Sequence, residues 1–504
     1  GIFSQVNAPW FQDSFLRNLT SQKGTFQTRL ISWRGAAADF KNHPFLGTGY
    51  GNYADIFDRN FTSDFYNYAT SDTYFDRAHN NIIDITSTTG IVGLITYLSI
   101  FFAVLYYLWQ EFKLNGKRSG SDINGLNNIE IIVIISLITA YFIQNLAIFD
   151  SFSTFIGLMT ILGFIYWLDL RRSSSREENS REPRFVIRKD GTELIALLGL
   201  LLITYLFTNQ YNVKPWKMFV ATIDGYSRIA SGNLVSGVEY YKNNLVGNPM
   251  ERDARVTLIN LVISNPSLLS ALKADQSQEI LDYTIGLAKL NVSNNPGDSM
   301  MQMQLAQILE VASRFSYNNL EKFNFYSSQA MQAIDASIEA SPGRATTYFI
   351  KAQMQLIRTE NDAAIATMKE GIALNTNYFE GYCRLSQIYL IVNGVKSDPI
   401  TTEALNSCFD KGGLDQISST ALLKSAINYY SDLKDYIHAA AISERLATIS
   451  ESDPTAWYNL AQLYLVIGND VKAEESFQKA VLLDPTLSKG WQEFKKVVET
   501  GRKK

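Results

Sequence analysis

Residues 91–109 read IVGLITYLSIFFAVLYYLW, and no charged residue occurs between Asp84 and Glu111. A helix needs about 20 largely apolar residues to cross the hydrocarbon of a bilayer, and about 17 suffice. This stretch is therefore long enough to span unaided. Three more uncharged apolar segments follow: Ile131–Phe149, Phe152–Leu168 and Leu194–Asn209. The first of them meets the length easily, and the other two lie at its lower limit. One such run fits a buried helix of a soluble protein. Four in close succession, separated by charged loops, predict a polytopic membrane domain.

Basic residues orient the spans. Lys113, Lys117 and Arg118 lie between spans one and two. Arg171, Arg172, Arg176, Arg181, Arg184, Arg188 and Lys189 lie between spans three and four, whereas the turn at Asp150 and Ser151 has no basic residue. Positive loops stay cytoplasmic, so both polar ends of the chain are expected on the outer face. The expected plan is an extracytoplasmic loop over 1–85, a transmembrane domain of about four helices over 86–210, and an extracytoplasmic helical domain over 211–504. The mean hydropathy of −0.06 over 504 residues averages these opposite parts. A net charge of −4 gives no basic footprint for nucleic acid. Cys383 and Cys408 are too few for a disulfide scaffold and lack metal-ligand spacing, and three histidines exclude a His-rich metal site. The sequence begins at Gly1 rather than Met, and the expectation is that further membrane helices precede it.

The polar half carries repeats. Between Pro454 and Pro485 stand Trp457, Leu460, Ala461, Tyr464, Ala473, Phe477 and Ala480. These offsets resemble the tetratricopeptide pattern, with bulky residues on one helix and small ones where its partner crosses. Trp491 follows Trp457 by 34 residues, and Tyr382 follows Tyr348 by 34, with Ala352, Ala364 and Gly371 at small positions. Residues 217–340 look helical with weaker repeats. The fold class is thus all-α: membrane helices, a helical outer loop and an α-solenoid in which each helical pair buries its face against its neighbours. Such an array suits a protein partner or serves as a spacer. His438 stands alone and is expected to be a packing or surface residue.

The segment before span one carries Arg29, Trp33 and Arg34, then His43-Pro44-Phe45-Leu46-Gly47-Thr48-Gly49-Tyr50-Gly51, then Asp76-Arg77-Ala78-His79-Asn80; nine residues later come Gly90 and Gly93. The order and spacing of His79-Asn80, Gly90 and Gly93, the Arg29-Trp33 pair, the His43–Gly49 run and the Gln144-Asn145 and Phe149-Asp150 stretch resemble the O-antigen ligase and O-antigen polymerase superfamily. The resemblance covers about residues 25–170. Bacterial members with C-terminal tetratricopeptide repeats share the whole architecture.

The resemblance implies a metal-independent glycosyltransferase of the bacterial cytoplasmic (inner) membrane, working without a cofactor. It would move a glycan from undecaprenyl diphosphate to a glycan, lipid or protein acceptor. The protein-acceptor version is a protein O-oligosaccharyltransferase. A non-enzymatic membrane-anchored repeat scaffold is the reading of a different class. The donor's pyrophosphate calls for arginine, whose planar fork binds phosphate oxygens in bidentate fashion and stays charged. The acceptor must lose a proton, which a histidine takes near neutral pH. By resemblance His79 and Arg29 are the catalytic candidates, while Arg34, Arg77 and Asn80 are substrate-binding candidates. Gly90 and Gly93 are expected to permit close packing. His43 is expected to be structural, and GTGYGN at 47–52 lacks the lysine of a phosphate-binding loop. The aromatics Tyr50, Tyr53, Phe57, Phe61, Phe65, Tyr66, Tyr68, Tyr74 and Phe75 suit either sugar stacking or the head-group level. Removing residues 216–504 is expected to impair acceptor delivery more than lipid-pyrophosphate binding.

Overall fold

A computed structural model describes residues 24–69, 74–115, 126–177, 192–245, 247, 250–393 and 398–502. Among them the regular structure is helical, without strands. The basic residues Lys117 and Arg118, and those from Arg181 to Lys189, lie outside the described residues. The chain forms two compact units, Gly1–Gly343 and Arg344–Lys504.

The first unit opens with α1 (Gly24–Phe40) and α2 (Tyr53–Arg59), followed by a 3-10 turn at Ser63–Asn67. The aromatics of this stretch pack on one another. Phe57 meets Phe61 and Phe65 edge-on, each at 5.6 Å between centroids, and stacks on Phe75 at 5.1 Å. Tyr53, Phe57, Phe61, Phe65, Tyr66 and Phe75 are buried, whereas Tyr50 and Tyr68 are exposed. Most of the ring set is thus the core of a small domain, since burying rings of this size is the main apolar contribution such a short segment can make.

The membrane helices are α3 (Asn81–Asn115), α4 (Asn128–Asn145), α5 (Phe152–Glu177) and α6 (Thr192–Thr208), the last running through a π-turn into α7 (Lys214–Ala230). Three stretches are long and apolar enough to cross a bilayer: Asn81–Leu114, Asn128–Asn145 and Leu194–Ala230; the apolar part of α5, Phe152–Leu168, is shorter. Their outward faces carry large exposed apolar side chains such as Ile132, Phe155 and Leu201. Inside, Phe101, Val104 and Leu108 of α3 pack on Ile131, Ile134 and Ile138 of α4 and Ile165 of α5.

Helix α3 is broken at Gly90, whose φ of 68° and ψ of −168° are non-helical. Asn81 Nδ2 nevertheless donates to Tyr97 Oη at 3.2 Å, sixteen residues away. A straight helix would separate them by about 24 Å. The segment 81–89 therefore folds back along the first turns of the membrane-crossing part.

The small domain before α3 is joined to the start of the repeats, which run through α8 (Leu234–Asn244), α9 (Glu251–Ser264), α10 (Pro266–Ser270), α11 (Ala274–Asn294), α12 (Ser299–Phe315) and α13 (Leu320–Ala340). The Asp58 carboxylate accepts the Ser299 N–H at 2.7 Å, its carbonyl accepts from Ser341 Oγ at 2.7 Å, and Asn295 Nδ2 donates to Asp55 at 3.0 Å. Arg252 donates to both Tyr74 Oη and Asp298. Burial pushes the Asp298 carboxyl above its ordinary range against the opposing pull of the Met301 amide and Arg252. Gly343 lies so close that a Cβ would stand 2.0 Å from the Phe61 carbonyl oxygen.

The second unit comprises α14 (Ala345–Ile357), α15 (Asn361–Leu374), α16 (Phe379–Asn393), α17 (Pro399–Gly412), α18 (Thr420–Asp432), α19 (Tyr436–Ile449), α20 (Pro454–Val466), α21 (Asp470–Leu483) and α22 (Ser488–Arg502). Consecutive helices pack in pairs. The small residues sit where the pairs cross: Ala352, Ala364, Ala461 and Ala480 are fully buried, and a Cβ on Gly371 would come within 2.8 Å of Tyr348 and Phe349. Trp491 stacks on Phe477 at 4.4 Å, closing the last pair against its neighbour. Asp or Asn side chains cap α17, α20 and α21, each satisfying an amide that the first turn leaves open. Cys383 and Cys408, 25 residues apart, form a disulfide between α16 and α17. His438 is a surface residue paired with Asp435 at 2.7 Å and stacked on Tyr430.

Candidate active site

Asp76–Asn80 is the turn that delivers the chain into α3. His79 occupies it with φ of +53°, a left-handed conformation that costs a non-glycine residue about 1–2 kcal/mol. The turn is held from below by Asp84, whose carboxylate accepts from Arg77 Nε at 2.9 Å and from the Ala78 amide at 2.9 Å. From the side, the Trp33 indole donates to the Ala78 carbonyl at 2.7 Å. Asn80 caps the helix by accepting the Ile83 amide.

Four of the five residues singled out from the sequence converge on one feature, the turn between α4 and α5. Arg29 donates from α1 to the Ala147 carbonyl at 2.8 Å. Asn80 donates to the Leu146 carbonyl at 2.9 Å. The Arg77 guanidinium lies 5.3 Å over the Phe149 ring, and the His79 ring meets the same ring edge-on at 5.3 Å. Phe75 closes the other side of His79 at 5.0 Å. Arg34 does not join them. It is exposed, and five residues along a helix place it about 140° around α1 from Arg29.

His79 Nδ1 lies 3.1 Å from the Arg77 carbonyl. With the hydrogen on Nδ1, that contact is a donated bond, and Nε2 is the acceptor nitrogen a base requires. Arg29 uses one guanidinium hydrogen on Ala147, out of five available for recognising a planar oxyanion.

Sequence reasoning assigned no role to Asp150. It is the sole charged residue from Ile131 to Leu168, and it is the centre of the turn. Tyr141 Oη donates to Asp150 Oδ1 at 2.6 Å, Asn145 Nδ2 donates to the same oxygen at 3.0 Å, and Asn81 Nδ2 donates to Oδ2 at 3.0 Å. An isolated carboxylate on an otherwise uncharged stretch was the available signal. What hid its role was the fold-back at Gly90, which brings Asn81 to it. Among the described residues, no group of three or more His, Cys, Asp or Glu stands together as a metal site.

Gly90 and Gly47 are explained by contact. A Cβ on Gly90 would lie 2.2 Å from the Phe45 carbonyl oxygen, and one on Gly47 would lie 2.3 Å from the Thr88 carbonyl carbon. Gly93 faces its own helix, where a Cβ would meet the Thr89 side chain.

The fold and the site together define a multi-pass membrane protein with a small helical domain before α3 and a tetratricopeptide-like array. Residues 3–98 match the family model described as O-Antigen ligase, and residues 454–487 match that of the tetratricopeptide repeat. No match is found among curated proteins. Among solved structures, YrrB, a TPR protein with an unusual peptide-binding site, is 14% identical, with 41% of this chain and 97% of that chain covered at a TM-score of 0.28. A thermophilic TPR protein from Thermus thermophilus, TTC0263, is 16% identical, covering 43% and 98% at 0.31. MamA is 16% identical, covering 42% and 94% at 0.19.

Proposed function

We propose that the protein is a membrane glycosyltransferase of the O-antigen ligase or polymerase type, transferring a glycan from undecaprenyl diphosphate to an acceptor at the outer face of the bacterial cytoplasmic membrane. The observation that carries this is the convergence on the 146–149 turn of Arg29, Arg77, His79 and Asn80, four residues that lie within the stretch 3–98 matching the O-antigen ligase family. In this reading His79 Nε2 takes the acceptor's proton as its oxygen attacks the anomeric carbon. The bond from that carbon to phosphate breaks, and undecaprenyl diphosphate leaves with both phosphates charged. Arg29 and Arg77 hold that charge, which is where preorganised cations lower the barrier most. Asn80 and Asp150 are positioning residues that fix the turn. No cofactor or metal takes part.

Two observations support the outer face. In the sequence the basic residues fall between spans one and two and between spans three and four, and not in the turn that carries Ala147 and Phe149, and the Cys383–Cys408 disulfide suits an oxidising compartment. The repeats are available to a protein partner or a protein acceptor. The scaffold reading rests on the repeats alone and gives the 146–149 convergence no task. Comparing glycolipid and glycoprotein profiles of cells with and without the protein separates the two. Loss of a glycan from lipid or protein, with build-up of the carrier-linked form, supports the enzyme. Unchanged profiles refute it.

A further inference from the structure

The segment His43–Gly51 takes no part in the convergence at the 146–149 turn, yet it presents Phe45, Leu46 and Tyr50 with 71%, 74% and 75% of their surface exposed. Three large apolar side chains within six residues are costly to leave in water.

The tip is fixed in place by its backbone. In an unbroken α3, Ile91 N would bond Ser87 O and Val92 N would bond Thr88 O. Instead Ile91 N donates to Pro44 O at 2.9 Å and Val92 N to Phe45 O at 3.3 Å, while Thr48 N donates to Ser87 O at 3.2 Å and Gly49 N to Thr88 O at 2.8 Å. The loop is inserted into the helix break and replaces two helical bonds by four. Gly47 N closes the loop on His43 O at 3.1 Å. The Asp39 carboxylate braces its far side, accepting from Thr48 Oγ1 at 2.8 Å and from Arg59 at 3.1 Å.

This stitching sets the tip's depth. The run Ile91–Trp109 is about 28 Å long at 1.5 Å per residue, close to the roughly 30 Å of bilayer hydrocarbon. Ile91 therefore stands at the outer boundary of the hydrocarbon, and Phe45 and Leu46 stand beside it. Their exposed surface continues that of Ile91, Val92 and Ile95 on α3 (36%, 51% and 61% exposed). Irregular backbone is tolerated at such a depth only when its polar groups are paired, and the four bonds across the break supply that pairing. Lys41, Asn42 and His43, exposed on the approach to the tip, suit the head-group layer.

We propose that the Phe45–Leu46 tip is a lipid anchor: it enters the outer edge of the bilayer hydrocarbon, with the Tyr50 ring at head-group level, and bilayer lipid is what covers it. The anchor gives the small outer domain a second attachment besides α3 itself. It thereby fixes the height of that domain above the membrane.

The test places an environment-sensitive NBD probe on single introduced cysteines of the protein in phosphatidylcholine–phosphatidylglycerol vesicles, the two native cysteines being paired with each other. Leu46→Cys and Phe45→Cys report the tip, Ile95→Cys reports the membrane helix, and Glu339→Cys reports water. The expected result is a blue-shifted emission at both tip positions, with loss of intensity when shallow doxyl-labelled lipid is included, as for Ile95. Tip probes that behave like Glu339 while Ile95 is quenched overturn the proposal. So does a blue-shifted tip probe that doxyl lipid leaves untouched, since that result means a protein covers it.

Discussion

Replacing Gly90 by alanine should dismantle the entry to the membrane domain. The backbone at Gly90, φ 68° and ψ −168°, lies in a region that costs other residues about 1–3 kcal/mol. The added Cβ would also stand 2.2 Å from Phe45 O, 2.3 Å from Phe45 C and 2.6 Å from Leu46 N. All three are main-chain atoms, so the inserted loop must withdraw. Withdrawal breaks the four bonds across the break at about 1 kcal/mol each, of which the released chain recovers two, a net loss of about 2 kcal/mol. The sum is a loss of about 3–5 kcal/mol, with the Asn81 contacts to Tyr97 and Asp150 going as well. At about 2–4 °C per kcal/mol for a unit of a few hundred residues, Tm in nanodiscs should fall by about 6–20 °C. Gly51→Ala is the control: Gly51 also has positive φ, 85°, but nothing lies within 4 Å of its Cβ position. It should cost only the left-handed backbone penalty of about 1–2 kcal/mol. Equal drops in Tm for the two variants would refute the insertion of the loop as the reason for Gly90.

Asp58→Ala leaves the Ser299 amide without its carboxylate and should loosen the small domain before α3 from the array by about 1–3 kcal/mol, seen as faster amide exchange in both 53–67 and 295–302; exchange rising on one side alone would contradict the coupling. Asp39 is buried, which by itself raises its pKa, but bonds from Thr48 and Arg59 hold it below 3.8. Its folded pKa lies below the unfolded value, so its contribution is complete above about pH 4 and fades as pH falls through the lower folded value. Asp39→Asn should therefore flatten the acid limb of the stability curve, and an unchanged limb would refute the brace. The Cys383–Cys408 bond closes 25 residues, worth about 3.5 kcal/mol in the chain-entropy treatment; the Cys383→Ser, Cys408→Ser double variant should unfold at a lower denaturant midpoint, and the wild type should match it only after reduction.

The membrane helices and the repeats were legible because each follows from a local pattern: uncharged runs such as 91–109, and small residues such as Ala461 and Ala480 at fixed offsets. The family match at 3–98 also agrees with motifs visible in the sequence. The fold-back at Gly90 was not legible. A glycine in an apolar helix signals close packing, and nothing local says that the chain reverses there or that Pro44 and Phe45 fill the gap. The same reversal places Asn81 on Asp150, so that residue's part in the site was hidden too. The aromatics of 53–75 suited either sugar stacking or the head-group level because their spacing is irregular, as it is for a small core built from short helices. The disulfide could not be read from two cysteines 25 residues apart without the antiparallel pairing of α16 and α17.

The contacts of Asp58, Asp55 and Gly343 with the first repeats also change what truncation should do. Residues 251–343 complete the small domain before α3, so removing 216–504 should abolish carrier binding and acceptor delivery together rather than impair delivery more than binding.

The central claim is that Arg29, Arg77, His79 and Asn80 form the site of glycosyl transfer at the 146–149 turn. The most direct measurement is single-turnover release of undecaprenyl diphosphate from a carrier-linked glycan by the protein in nanodiscs, with His79→Ala compared against wild type of equal Tm. Loss of a general base should slow release by about 10²–10⁴-fold while carrier binding persists. Release by His79→Ala at the wild-type rate would contradict the assignment.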